Sequence, residues 1–92
     1  MKYIFMGTMG PDWIGRQRER VGKVRAKADE LGIEIEALYY LQGDYDFIVI
    51  VEASDPYVVL GFSLWYAKQW FGRVVTLPAF DEATMERADE FT

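Results

Sequence analysis

Proton-transfer chemistry in this chain rests on carboxylates, lysines and tyrosines, because the sequence contains no histidine and no cysteine. That composition excludes thiol nucleophiles, Ser-His triads, Cys/His zinc sites, disulfides and haem held by His or Cys. The candidate general bases are therefore Glu34, Glu36, Asp44, Asp46, Glu52 and Asp55. Glu52 stands out among them. It ends the apolar run Phe47–Val51, where burial would raise its pKa. Its competing role is a strand-end carboxylate that reaches water or pairs with an arginine of a partner. Asp46 is the second catalytic candidate, set against a plainer role in pinning a turn. Asp44 and Asp46 form an acidic turn of a kind too common to assign a metal, and none is expected. Gly7-Thr8-Met9-Gly10 lacks the GxGxxG spacing and no Walker lysine follows it, so no cofactor is expected either.

Binding candidates are aromatic. Tyr39, Tyr40 and Tyr45 could donate hydrogen bonds to a ligand, although tyrosines in half-buried strands are ordinary. The segment Asp55–Phe71 carries two apolar stripes at helical spacing. Tyr57, Leu60, Leu64, Ala67 and Phe71 are suited to packing on a sheet, which leaves Val58, Phe62, Trp65 and Gln69 pointing outward. Phe62 and Trp65 then line a ligand surface, or else pack under the C-terminal tail or another subunit. Arg16, Arg20, Lys23 and Lys27 follow a helical rule, with Arg18 and Arg25 beside them, and read as a solvated basic face. The acidic residues Asp81, Glu82, Glu86, Asp89 and Glu90 could neutralise that face within or between subunits.

These residues need a scaffold, and 92 residues make one domain, residues 1–92. An apolar fraction of 51% excludes intrinsic disorder. A net charge of -5 argues against nucleic acid and anionic membranes as partners. The most apolar window, Tyr57–Phe71, is too short to span a bilayer and carries Lys68, and no targeting segment is visible. A cytoplasmic location is the default expectation.

Alternating and β-branched runs predict strands at Lys2–Met6, Ile33–Gln42, Tyr45–Ala53 and Arg73–Phe80. Helical spacing predicts Trp13–Leu31, capped by Asp12 and stopped by Gly32, and Asp55–Phe71, capped by Asp55 and stopped by Gly72. Residues 81–92 read as an acidic helix or tail capped by Asp81, and Pro78 fits an edge strand or a bulge. The order β-α-β-β-α-β is the split arrangement of an α+β, ferredoxin-like domain with a four-stranded antiparallel sheet. A hairpin turning at Gly43-Asp44 sets Tyr40 opposite Phe47, Leu38 opposite Val49 and Glu36 opposite Val51. Ile35, Ala37, Tyr39, Leu41, Ile48, Ile50 and Glu52 fall on the other face. Both faces are largely apolar, whereas helices cover only one, so a second copy of the chain is expected on the other.

The run Tyr40-Leu41-Gln42-Gly43-Asp44-Tyr45-Asp46-Phe47, continuing to Glu52-Ala53-Ser54-Asp55, resembles the signature of the GYD-domain family. In that family a Gly-x-Tyr-Asp turn leads into a strand ending Glu-Ala-Pro-Asp. Thr8 and Gly10 echo its Thr-x-x-Gly, and Gly72–Phe80 is similar to its last strand. Here Ser54 replaces the usual proline, and the aromatic second helix departs from an alanine-rich one. The resemblance implies a dimeric α+β barrel with two sheets face to face. Three functions stay open. The first is a regulatory or non-catalytic homodimer binding a small apolar or aromatic molecule. The second is a cofactor-independent isomerase or monooxygenase. The third is a structural subunit of a higher oligomer.

Overall fold

A computed structural model describes residues 1–92. Strands β1 (Lys2–Met9), β2 (Glu34–Tyr40), β3 (Phe47–Glu52) and β4 (Gly72–Ala79) form one sheet in the order β2-β3-β1-β4. Every neighbouring pair is antiparallel. Helices α1 (Gln17–Leu31) and α2 (Pro56–Lys68) supply the connections, and α3 (Glu82–Asp89) follows the sheet. This is the α+β, ferredoxin-like arrangement read from the sequence.

Several local devices act as their residue types dictate. Gly32 closes α1 in the left-handed conformation at φ 71°. The Asp55 carboxylate caps α2 by accepting from the Tyr57 backbone N–H at 2.8 Å, with Pro56 in the first turn. Asp81 caps α3 through the Thr84 N–H at 2.8 Å, and that bond holds its carboxyl below the usual value. Pro78 lies in β4, an edge strand, where its missing N–H costs no ladder bond to a further strand.

Four readings need correction. Asp12 does not cap α1: Pro11–Trp13 forms a separate 3-10 turn, Gly15 takes φ 86°, and α1 starts at Gln17. The second helix stops at Lys68 rather than Phe71, and the left-handed residue after it is Trp70 at φ 60°. Gly72 instead opens β4. The hairpin register holds at Tyr40–Phe47 and Leu38–Val49, but a bulge at Glu36 brings Ile35 opposite Val51. The bulge turns Ile35 toward the helices and leaves Glu36 free to meet Lys2.

The fourth correction concerns α2. Val59, Phe62 and Tyr66 are its buried residues, while Tyr57, Leu60 and Leu64 are exposed, the reverse of the predicted orientation. The physical reason is aromatic packing. Phe62 stacks on Phe5 of β1 at 4.9 Å, and Tyr66 meets Phe47 of β3 at 5.8 Å. Together with Tyr3, Val49, Val51, Val24, Ala28 and Phe71 they make the core between the helices and one face of the sheet.

Gly72 is tightly constrained. Its φ is 142°, and a Cβ there would overlap the Thr8 carbonyl oxygen of the neighbouring strand. Gly72→Ala is expected to cost about 2–5 kcal/mol from backbone strain plus overpacking. Urea denaturation checks this; an unchanged midpoint would refute the close approach.

Candidate functional site

The sheet face turned away from α1 and α2 takes no part in the core. Its register aligns Ala37, Ile50, Ile4 and Leu77 in one cross-strand row and Tyr39, Ile48, Met6 and Val75 in the next. A one-sided antiparallel sheet ordinarily presents polar side chains to water on such a face. Here Tyr39 is 61% exposed, and Val75 and Leu77 are also exposed.

Charges gather at one end of this face. Lys2, Glu52 and Ala79 share a row, and the Lys2 ammonium donates to the Glu36 carboxylate across the sheet. Glu52 pairs with the Met1 ammonium at 2.9 Å and with Lys2 at 3.9 Å. The hydrogen bond from the N-terminal ammonium is the main influence on Glu52; it outweighs desolvation and, with Lys2 adding, holds the carboxyl below its ordinary value. Lys2 is correspondingly raised, first by its bond to Glu36 and then by the surrounding carboxylates. The expected upward shift of Glu52 is thus reversed, because the side chain is 40% exposed and ion-paired rather than buried alone.

A lowered folded-state pKa means that this contribution is present above the unfolded value and fades as pH falls. Glu52→Gln is therefore expected to lower stability slightly at neutral pH and leave it unchanged well below pH 4.5, which flattens the acid limb between them. Urea midpoints across that range test it. An unaltered acid limb would contradict the pairing.

Asp46 sits at the opposite end of β3. Its Oδ2 accepts from the Met9 N–H at 2.7 Å, its own N–H donates to the Gly7 carbonyl, and its carbonyl accepts from Leu41. These bonds tie the hairpin to the end of β1. Asp46→Ala is expected to cost about 1–3 kcal/mol by orphaning the Met9 donor, and Asp46→Asn to recover most of it. Equal losses in both variants would refute the role of Oδ2.

The four aromatic binding candidates do not converge. Tyr39 stands on the open face beside Ile48, whereas Tyr40 pairs with Phe47 on the helix side. Phe62 is 5% exposed within the core, and Trp65 is half-buried between Phe62 and Phe71 at 5.7 and 5.6 Å. The core cavity among these layers is only about 10 Å³, room for at most one water and not for a ligand. A groove of about 450 Å³ lies elsewhere, lined by Met1, Lys2, Glu52, Ala79, Phe80, Asp81 and Thr84. It joins the charged end of the open face to the start of α3.

Sequence reasoning also missed Arg20. Read as part of a solvated face, it is 2% exposed. The signal was present in the spacing: Arg20 leads the buried Val24 and Ala28 at intervals of four.

Comparisons with known proteins agree with this architecture. The chain is 28% identical over 87 residues to the "glutamine synthetase and cystathionine beta-lyase binding protein" of Thermus thermophilus, covering 90% of this chain and 92% of that one. The crystal structure of MtbAldR superposes with a TM-score of 0.68 at 18% identity, a likeness of fold alone. That match covers 88% of this chain but spans only 54% of the MtbAldR chain. The model of the GYD domain matches residues 4–88, nearly the whole sequence, and the chain belongs to the GYD-domain family.

Proposed function

We propose that the protein is a regulatory, non-catalytic binding protein that works as a homodimer, with the open sheet faces of two copies packed together. The carrying observation is the pair of apolar rows on that face, which no element of the same chain covers. A second support is α3. All its residues are exposed, and an isolated helix of this length is marginal in water. Phe80, Met85 and Phe91 give it apolar anchors for a second copy.

The ligand in this reading is a small apolar or aromatic molecule held in the groove between Lys2, Glu52 and Phe80. The Thermus relative, by its name a binding protein for two enzymes, supports binding over turnover. The state of Glu52 supports it too, since an ion-paired carboxylate with a lowered pKa is a weakened general base. Amide chemical-shift mapping with a panel of small aromatic acids and neutral aromatics tests the site. Shifts centred on Lys2, Glu52, Ala79 and Phe80 are expected. Binding mapped only to the outer surfaces of α1 and α2 would overturn it.

The exposed Tyr57, Leu60 and Leu64 on α2 favour a second reading, in which dimers associate further through this helix. Leu60→Lys with Leu64→Lys should then reduce any species larger than the dimer to the dimer, as light scattering would report.

A further inference from the structure

Arg20 is a permanent charge buried without a carboxylate in ion-pair contact. A guanidinium stays protonated in proteins, so burial cannot neutralise it. None of the protein's ion pairs includes it. Its Nη1 donates to the Tyr66 hydroxyl at 3.2 Å, and its guanidinium lies 4.9 Å from the centre of the Phe47 ring. Nε and Nη2 are buried and have no hydrogen-bond partner.

Arg20 and Tyr66 belong to the wall of the 10 Å³ core cavity, whose other lining residues are all apolar. A buried guanidinium with two unpartnered nitrogens thus belongs to the wall of a space of single-solvent size. A water molecule there would accept a hydrogen bond but would leave the charge uncompensated. A carboxylate or phosphate is too large for the space. We infer that the Arg20–Tyr66 end of the core is a binding site for one small monovalent anion of the halide class.

The chemistry of the neighbours fits. The Tyr66 oxygen accepts from Arg20, which leaves its own O–H free to donate to an anion. Burial raises the Tyr66 pKa and so keeps that proton in place at neutral pH. The apolar remainder of the wall excludes competing water. The site lies within one protomer, on the helix side of the sheet, and is independent of the proposed dimer.

Thermal unfolding at fixed ionic strength and protein concentration tests it, with sodium gluconate replaced stepwise by sodium chloride or bromide. A rise in Tm is expected that becomes logarithmic in halide above Kd and amounts to at least about 5 °C at tenfold over Kd. Arg20→Met should abolish this logarithmic response. Crystals grown in bromide should show an anomalous peak within hydrogen-bond reach of the Arg20 guanidinium. A Tm unchanged by halide or linear in its concentration would overturn the inference, as would water alone in the cavity in the bromide crystal. A logarithmic response that persists in Arg20→Met would overturn it too. If that variant does not fold, the halide titration and the bromide crystal of the unaltered protein decide the matter.

Discussion

Ile50→Glu is expected to convert the proposed dimer to a folded monomer. Ile50 lies mid-sheet on the open face, directly between Ile4 and Ala37. In the proposed stacking of two sheets a carboxylate at this position would be taken out of water among the apolar side chains of its row. Such an uncompensated charge costs about 3–5 kcal/mol, which weakens association by about a hundredfold or more. The protomer itself should survive, because Ile50 points away from the core formed with α1 and α2. Sedimentation velocity at micromolar concentration reads the change, and far-UV circular dichroism reports the retained fold. A variant that stays dimeric would place the interface elsewhere.

Phe62→Ala is expected to remove about 3–5 kcal/mol of folding stability, against a total of roughly 5–14 kcal/mol for a chain of this length. The ring is buried against Phe5 and touches Trp65, so truncation leaves a cavity that the stiff sheet cannot close. Leu64→Ala, two residues along the same helix, should change stability by no more than about 0.5 kcal/mol, because Leu64 is 60% exposed. Urea unfolding of the two variants tests which side of α2 faces the sheet. A larger loss at Leu64 than at Phe62 would reverse the orientation.

That orientation marks where sequence reasoning reached its limit. The elements and their order were legible, because Gly32, Asp55-Pro56 and Asp81 punctuate the chain with residues whose backbone and capping chemistry leave little choice. The register at Tyr40–Phe47 followed from the Gly43-Asp44 turn. The side of α2 that packs inward did not follow, because the helix is apolar nearly all round and its polarity singles out no buried face. Only the fit of Phe62 to Phe5 and of Tyr66 to Phe47 selects it, and those contacts span distant parts of the chain.

The surroundings of Glu52 and Asp46 were only partly legible, for related reasons. Nothing local to the sequence announces the bulge at Glu36, which brings a carboxylate to Lys2 and assembles the ion cluster around Glu52. Asp46 was legible as a turn-pinning residue, though its partner, the Met9 N–H, sits on another strand. The apolar character of both sheet faces was readable from alternation alone, since period two assigns every residue of β3 to one side or the other.

The decisive measurement is the native mass of the freshly purified protein, by native mass spectrometry and by sedimentation equilibrium at micromolar concentration. A species of twice the 10.7 kDa chain mass is expected. A stable 10.7 kDa monomer would contradict the account, because the apolar rows of the open face would then remain in water.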